Sequence, residues 1–279
     1  MVDDVPLKKE KVMAAFDEVS NTFDQVAGQP MLMCTKLLLK EINIPENPVC
    51  LDIGCGTGIS TFELAKIIKD NGTIYGIDFS QPMIDISKKK AEQLGFPEVK
   101  FSTGDAEQLD FPDSMFDIVL SNQVIPFIPD RRKALKEIYR VLKPGGETAH
   151  LFYGGSVYQE AIKAALEVAG RYPEFPSVID AIVEFRDDLV GLEEAVDLFE
   201  SAGFVDHRIY GRHVVMFIDP SFLLSRGMIW DEWKSGLPLD AVDMVRDELL
   251  VECRKVSEAK GFKHTSYNII AVGVKRPNP

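Results

Sequence analysis

The segment VCLDIGCGTGIS, Val49–Ser60, joins an apolar run to a glycine-rich turn and to the start of a helical pattern. The apolar run ends at Asp52, and glycines follow at Gly54, Gly56 and Gly58. Glycine has no Cβ and tolerates positive φ, so such a turn can bring backbone N–H groups close to a ligand. The segment therefore predicts a buried strand, a tight ligand-binding turn and a helix, with the Asp52 carboxylate pointing into the same crevice.

The spacing of these glycines separates two kinds of nucleotide site. A dinucleotide-binding turn has the pattern Gly-x-Gly-x-x-Gly, in which the third glycine packs the helix against the strand. Counting from Gly54 puts Ile59 at that third position, and counting from Gly56 puts Thr61 there. A nicotinamide-dependent dehydrogenase is therefore disfavoured.

Further apolar strands along the chain also end in acidic or polar residues. Asp78 ends one strand, Asp105 follows the next, and Ser121 and Asn122 end a third. The strands alternate with helical segments, which is the pattern of a parallel, doubly wound α/β sheet. Because the carboxyl ends of parallel strands share one edge of the sheet, these residues and Asp52 are expected to converge on one crevice.

Residues 47–153 resemble the class I S-adenosylmethionine (SAM)-dependent methyltransferases, and most of all the small-molecule branch that includes the ubiquinone/menaquinone-biosynthesis and sterol enzymes. The runs that carry the resemblance are LDIGCGTG, GIDFS, GDAEQLDFPDSMFDIVLSN and EIYRVLKPGG. It implies a doubly wound, mostly parallel seven-stranded sheet of the Rossmann-like methyltransferase fold. It also implies SAM as the cofactor and S-adenosylhomocysteine as the product.

The resemblance further implies which residues bind the cofactor. Asp52 would face its cationic amino-acid end, Asp78 the ribose hydroxyls and Asp105 the adenine amino group. A turn or helix cap is the alternative role for Asp105. The expected cofactor-binding set is Asp52, Gly54, Gly56, Gly58, Asp78, Phe79, Met83, Asp105, Ala106, Ser121 and Asn122.

The chain is expected to form a single methyltransferase domain over residues 1–279. Residues 1–44 would be N-terminal helices, with Gly28-Gln29-Pro30 separating two of them, and residues 45–153 the SAM-binding core. Residues 191–218 and 263–279 would complete the core sheet. Residues 154–190 and 219–262 leave the sheet from the carboxyl ends of strands, so they are expected to be insertions that form a helical cap over a substrate chamber.

Aromatic residues in the N-terminal helices, the core and the cap are candidates for an apolar substrate pocket, since ligand sites are often lined in this way. Packing of one element on another is the alternative role for each of them. The candidates are Phe16, Phe23, Phe127, Trp230 and Trp233.

Methyl transfer from a sulfonium is an in-line displacement, so the positioning of the acceptor and the exclusion of water carry much of the catalysis. An oxygen or nitrogen acceptor can also need a general base. His213, His264 and Tyr153 are candidates for that base, and an ordinary structural role is the alternative for each. The sequence does not identify the acceptor atom.

The overall composition narrows the possible partners. The chain has 31 Lys and Arg against 44 Asp and Glu, a net charge of -13, which is unlike the basic surface of a nucleic-acid-binding protein. The four cysteines show no Cys-x-x-Cys spacing, so no metal site is expected. We expect no signal peptide and no transmembrane segment, and hence a cytoplasmic protein, while the oligomeric state stays open.

These observations favour an enzyme that methylates a small, partly apolar acceptor molecule. A non-catalytic SAM-binding protein, acting as a sensor or as a partner subunit, is the alternative that the sequence leaves open.

Overall fold

The computed structural model describes residues 9–69, 71–154, 159–172, 190–218, 234, 237–255, 257 and 262–277. In these ranges one seven-stranded sheet is formed by β1 (Val49–Ile53), β2 (Thr73–Asp78), β3 (Lys100–Thr103), β4 (Phe116–Asn122), β5 (Leu142–Tyr153), β6 (Asp206–Ile218) and β7 (Phe262–Val274). The strand order across the sheet is β3-β2-β1-β4-β5-β7-β6.

Helices lie on both faces of the sheet. They are α1 (Lys9–Val19), α2 (Phe23–Leu38), α3 (Ile59–Ile68), α4 (Gln81–Leu94), α5 (Arg131–Val141), α6 (Gln159–Ala169), α7 (Leu192–Ala202) and α8 (Val242–Lys255). A short 3₁₀ helix, Ile125–Phe127, follows β4.

The strand order reverses next to β1, which confirms the predicted doubly wound α/β fold. From β1 the chain adds β2 and β3 on one side, and then β4 and β5 on the other, with all neighbouring pairs parallel. Strand β7 then runs antiparallel to both β5 and β6. In an open sheet of this kind, ligands bind outside the carboxyl ends of the strands at the point of reversal.

The sheet separates two apolar layers. On one face, Leu51 of β1 belongs to the buried cluster that contains Phe199 of α7. On the other face, Cys50 of β1 belongs to the cluster that contains Leu64 of α3. Successive side chains of a strand point to opposite faces, so a strand buried on both sides is apolar throughout. This explains the continuous apolar run from which β1 was predicted.

Helix α4 begins where its sequence predicts. Ser80 is its N-cap, and the Ser80 hydroxyl accepts a hydrogen bond from the Met83 N–H at 3.3 Å. Pro82 lies in the first turn, where its missing N–H would have had no partner in the helix. These two residues hold the first turn of α4 next to the carboxyl end of β2.

The N-terminal helices differ from the prediction at one point. Gly28-Gln29-Pro30 does not separate two helices, because α2 runs through these residues. Helix α2 buries Ala27, Cys34 and Leu38 almost completely. This burial offsets the cost of a proline and a glycine inside the helix.

The expected cap is described only in part. Residues 173–189 and 219–233, with the candidate pocket residues Trp230 and Trp233, lie outside the described residues. Of the segments that are described, α6 and α8 are joined by Tyr172, whose hydroxyl donates to Glu248 at 2.5 Å, and by ion pairs from Arg171 to Glu248 and Glu252.

Among the described helices, none combines the length and the apolar character that a membrane span requires.

Candidate active site

Two adjoining cavities lie at the carboxyl ends of the parallel strands. The glycine-turn cavity, of about 90 Å³, is bordered by the turn from Gly54 to Thr57. The Asp105 cavity, of about 40 Å³, is bordered by residues 104–107 after β3. Both cavities share Gly54, Asp78, Phe79, Val124 and Phe127 in their walls, so together they form one cleft across the point of strand reversal.

The glycine turn has the backbone that its sequence predicts. Gly54, Gly56 and Gly58 all have positive φ, at 65°, 52° and 89°. At Gly54 a second requirement applies, because a methyl group there would overlap the Val124 side chain. Glycine at this position therefore permits both the turn and the close approach of the segment that follows β4.

Asp78 lies where the two cavities meet, at the end of β2. Its Oδ2 accepts a hydrogen bond from the Gly56 N–H at 2.8 Å, and its Oδ1 accepts one from the Ser80 N–H at 2.9 Å. The residue is 7% exposed, and this burial raises the pKa of its carboxyl. Each carboxylate oxygen can accept a second hydrogen bond, so Asp78 can tie the turn together and still bind hydroxyl groups in the cleft.

Asp52 does not point into the cleft, which corrects the prediction from sequence. The residue is 1% exposed and lies behind the glycine turn, where the Thr61 hydroxyl of α3 donates to its Oδ2 at 2.5 Å. The cause is the alternation of side chains along β1, which turns Asp52 to the same face as Cys50. Burial raises the pKa of the Asp52 carboxyl from 3.8 to about 7, and its Oδ1 has no hydrogen-bond partner among the described residues.

Asp105 and Ala106 both border the Asp105 cavity. The Asp105 Oδ1 accepts the Glu107 N–H at 2.9 Å, as expected of a residue that caps a turn. Its Oδ2 forms an ion pair with the Lys9 ammonium of α1. The structure therefore shows the turn-capping contact of Asp105 together with a position on the wall of the cleft.

The two polar residues at the end of β4 have different positions. Asn122 borders the glycine-turn cavity, whereas Ser121 is buried outside the lining of both cavities. The Asn122 Nδ2 donates to the Met31 carbonyl at 3.2 Å, and also to hydroxyls of Thr35 and Ser60. Because a carbonyl can only accept, this contact fixes the orientation of the amide.

Aromatic rings form part of the wall of the cleft. Phe16 of α1 lies 6.1 Å from Phe79 and 5.4 Å from Phe127 between ring centroids, both in edge-to-face geometry, and 6.4 Å from Phe23. All four rings border the glycine-turn cavity, as does Met83. The structure thus brings together the three predicted pocket residues that it describes.

The three candidates for a general base lie in different places. Tyr153, at the end of β5, borders the glycine-turn cavity and is 5% exposed. His213 lies on β6, with its ring centroid 5.2 Å from that of Tyr267 on β7, and it borders neither cavity. His264 pairs with Met216 in the register of β7, and its side chain lies outside the described part of the structure.

Helices α1 and α2 make polar contacts with each of the three loops that follow β1, β2 and β3, and we refer to these two helices as the N-terminal strap. Besides the ion pair of Lys9, Asp17 accepts the Ser80 hydroxyl at 2.5 Å. Asp24 accepts the Thr57 hydroxyl at 2.5 Å and the Lys90 ammonium at 2.7 Å. The strap therefore closes the cleft with one polar anchor per loop.

Sequence reasoning missed several residues of the cleft. Gln123 borders the glycine-turn cavity, and its position directly after the predicted strand end at Asn122 could have identified it as a residue of the cleft. Lys9 had no such local signal, because 96 residues separate it from Asp105. Within the described residues, no group of three or more His, Cys, Asp or Glu side chains could hold a metal ion.

Comparisons with known proteins agree with this geometry. The family model described as "methyltransferase domain" matches residues 51–149. The demethylmenaquinone methyltransferase of Anoxybacillus flavithermus is 30% identical over 218 residues, which cover 72% of this chain and 90% of that protein. The enzyme of the same description from Geobacillus stearothermophilus is 31% identical over 215 residues, which cover 71% and 90%.

Solved structures share the fold at lower sequence identity. The [4+2]-cyclase SpnF matches with a TM-score of 0.61 and 20% identity, over 99% of each chain. Phosphoethanolamine N-methyltransferase 2 of Haemonchus contortus, solved with SAM, matches with a TM-score of 0.57 and 20% identity, over 94% of this chain and 57% of that one.

The glycine turn, the carboxylate at the end of β2 and the long alignment with the demethylmenaquinone enzymes all lead to the same assignment. The chain belongs to the class I SAM-dependent methyltransferases and uses SAM as its methyl donor.

Proposed function

We propose that this enzyme methylates a small, uncharged, largely apolar ring compound related to demethylmenaquinone, by in-line displacement at the SAM methyl group. The observation that carries the proposal is the lining of the cleft. Its polar half consists of the glycine turn, Asp78 and residues 104–107, and its aromatic half of four phenylalanine rings, two of which also border the Asp105 cavity: Phe16, Phe23, Phe79 and Phe127. The 30% identity to an enzyme named for demethylmenaquinone supports the same class of acceptor.

The polar half of the cleft would bind the cofactor. Asp78 would accept the ribose hydroxyls, and the N–H of Ala106, with Asp105, would meet the adenine. The amino-acid end would lie against the glycine turn. Asp52 would then act from behind the turn, where its carboxylate favours the positive charges of the cofactor without touching it.

The aromatic half would bind the acceptor. Phe16, Phe23 and Phe127 offer ring faces and edges with which an aromatic acceptor can stack. Of the titratable groups that border the glycine-turn cavity, Asp78 is committed to the cofactor and burial raises the pKa of the Cys55 thiol well above its ordinary value. Tyr153 therefore remains as the side chain best placed to contact a hydroxyl of the acceptor.

The reaction would form a bond between a ring carbon of the acceptor and the methyl carbon of SAM while the bond from that methyl to sulfur breaks. S-adenosylhomocysteine leaves, and the ring carbon releases its proton to solvent or to a nearby base. An electron-rich quinol ring is a carbon nucleophile, whereas the oxidised quinone is not. The acceptor would therefore react in its reduced form.

Incubation of the purified protein with methyl-labelled SAM and demethylmenaquinone tests the proposal. We expect a labelled lipid product with the reduced quinol and none with the quinone. Phosphoethanolamine serves as the charged control acceptor, and labelling of that compound instead of the quinol would contradict an apolar acceptor. No labelled product with any acceptor, combined with tight binding of S-adenosylhomocysteine, would favour the non-catalytic alternative.

We also propose that nucleic acids are not acceptors and that the enzyme works in the cytoplasm. The net charge of -13 supports the first statement, because phosphate backbones are bound by basic surfaces. Gel-shift assays with tRNA and duplex DNA at low salt, and fractionation of cells that express the tagged protein, test the two statements separately.

A further inference from the structure

Gln123 has an unusual backbone for its position. Its φ is 62°, and the other described non-glycine residues with positive φ are Asn47, Lys69 and Ser114. Those three are exposed, whereas Gln123 is 7% exposed and borders the glycine-turn cavity. Non-glycine residues in this region are strained, and in protein structures such strain concentrates at functional sites.

The side-chain amide of Gln123 is held at both ends. Its Oε1 accepts the Tyr153 N–H of β5 at 3.0 Å, and its Nε2 donates to the Asn268 Oδ1 of β7 at 3.1 Å. A backbone N–H can only donate, so the Tyr153 contact fixes which end of the amide is the oxygen. Asn268 is fixed in turn, because its Nδ2 donates to the Ser266 carbonyl and hydroxyl at 3.3 and 2.7 Å.

The backbone of Gln123 directs the segment that follows it. The chain leaves β4 at this residue, places Val124 over Gly54 and then forms the 3₁₀ helix Ile125–Phe127. Phe127 at the end of that helix reaches the aromatic wall beside Phe16. Gln123 therefore positions two residues at the border of the aromatic half: the backbone of Gln123 directs Phe127, and its side-chain amide holds Tyr153.

We propose that Gln123 is a positioning residue for the methyl acceptor, which it aligns by holding Tyr153 and Phe127 at the border of the glycine-turn cavity. The proposal rests on the proposed function, since it assigns the acceptor to this half of the cleft. Gln123 acts through its neighbours, and the described partners of its side-chain amide do not include Asp78, Ala106 or the glycine turn, to which the cofactor is assigned. Its loss should therefore reduce the rate of transfer and not the affinity for the cofactor.

The substitution Gln123→Gly separates this role from a merely structural one. Glycine accepts φ of 62° without strain, so the backbone is retained while the contacts of the amide with Tyr153, Asn268 and the Cys34 sulfur are lost. We expect kcat for the acceptor to fall by about 10-fold or more, with Kd for S-adenosylhomocysteine within about twofold of the wild type, because small misplacements cost rate and not cofactor binding.

Two further variants control the experiment. Ser114→Gly makes the same kind of change at an exposed position with φ of 56° outside the cleft, and it should leave kcat unchanged. Gln123→Asn keeps a residue that tolerates the left-handed region but shortens the amide, so that it no longer spans Tyr153 and Asn268. Gln123→Asn should show the same fall in kcat. If Gln123→Gly melts at a lower temperature than the wild type, Gln123→Asn is the variant to compare with the wild type.

Retention of kcat in both Gln123 variants would overturn the proposal, as would a parallel loss of S-adenosylhomocysteine affinity. A crystal structure of Gln123→Gly with S-adenosylhomocysteine provides a readout that needs no acceptor, and we expect Tyr153 to be displaced from its wild-type position. If the wild-type protein does not methylate demethylmenaquinol, the proposed acceptor fails, but this structure still decides the role of Gln123. An unmoved Tyr153 would exclude it.

Discussion

Asp78 combines two tasks in one carboxylate, because it holds the glycine turn through the Gly56 N–H and borders both cavities. The substitution Asp78→Asn keeps the shape but removes the negative charge and one acceptor oxygen. Hydrogen bonds to a charged group contribute about 1.5–3 kcal/mol, so we expect affinity for S-adenosylhomocysteine to fall by about 10- to 100-fold. Isothermal titration calorimetry measures this change directly.

Asp85→Asn is the matched control for Asp78→Asn. Asp85 lies on the outer surface of α4, where it accepts a hydrogen bond from Gln81 at 2.7 Å, and it borders neither described cavity. Its substitution should leave the affinity unchanged. Equal affinities of Asp78→Asn and the wild type would contradict the assignment of the ribose to Asp78.

Asp52 makes the stability of the unliganded protein depend on pH. Burial raises the pKa of its carboxyl from 3.8 to about 7, so between these values the folded state binds more protons than the unfolded state. The contribution of Asp52 therefore becomes less favourable as the pH rises through this window. The substitution Asp52→Asn removes this dependence, while its side-chain oxygen can still accept the hydrogen bond from the Thr61 hydroxyl.

Urea unfolding of the Asp52→Asn variant and of the wild type, at about pH 4 and about pH 8, measures the effect. We expect the difference in free energy of unfolding, variant minus wild type, to increase by about 2–4 kcal/mol from the lower pH to the higher one, since one pKa unit corresponds to about 1.4 kcal/mol. A difference that does not change with pH would show that the Asp52 carboxyl titrates at its ordinary pKa. The exposed Asp85→Asn variant controls for general effects of removing a carboxylate.

At the scale of the secondary-structure elements, the two helices of the N-terminal strap contact loops that lie far away from them in the sequence. Exposed ion pairs contribute about 0–1 kcal/mol, so the Lys9 pair, which is more than one-third exposed at each side chain, stabilises the strap only weakly. The Asp24 carboxylate is the stronger anchor because it binds two elements, the glycine turn through Thr57 and α4 through Lys90. The closed strap covers the cleft in which the cofactor would bind.

The substitution Asp24→Ala should therefore release the cofactor product faster. We expect the dissociation rate of S-adenosylhomocysteine to rise by about fivefold, in line with the loss of about 1 kcal/mol of closing free energy. Displacement of bound S-adenosylhomocysteine, followed in a stopped-flow instrument, measures the rate. Glu63→Ala breaks a comparable ion pair with Lys66 on α3 and should leave the rate unchanged. Equal rates in both variants would show that the strap does not limit release.

The elements differ in how far their sequence predicts them. The strand ends at Asp78 and Asn122 and the N-cap of α4 at Ser80 could be predicted, because each depends on residues that are neighbours in the chain. The direction of the Asp52 side chain could not be predicted, because it depends on which face of β1 the helix α3 covers. Helix α2 was predicted to break at Gly28-Gln29-Pro30, since local propensity does not include the burial that holds the helix together.

The same distinction applies to the candidate site. Motifs and composition predicted the glycine turn, Asp78 and the rings of Phe16, Phe23 and Phe127, and these residues border the glycine-turn cavity. The polar contacts of the strap and of the Gln123 amide were not predicted, because their partners lie on elements that only the fold brings together. The Gln123 amide, for example, joins Tyr153 to Asn268 through strands that neighbour each other only because β7 inserts between β5 and β6.

At the scale of the whole molecule, we expect the charge of the chain to distinguish the cofactor from its product. The protein carries a net charge of -13, and Asp52, Asp78 and Asp105 lie in or directly behind the walls of the cleft. SAM has one net positive charge, because its sulfonium adds to an otherwise neutral zwitterion. S-adenosylhomocysteine lacks the sulfonium and is neutral overall. A negative field at the cleft therefore favours the substrate over the product of the same shape.

This field predicts different salt dependences for the two ligands. Raising the NaCl concentration from about 0.05 M to about 0.5 M shortens the Debye length to a few ångströms, so we expect Kd for SAM to rise by roughly two- to fivefold. Kd for S-adenosylhomocysteine should change little, because its hydrogen bonds and apolar contacts are retained. Calorimetric titrations without an acceptor measure both constants, and the product acts as the matched control because it differs from SAM by one methyl group and one charge. Parallel salt dependences would show that the sulfonium lies outside the field of the carboxylates, which would contradict the proposed binding of the cofactor against the glycine turn and Asp78.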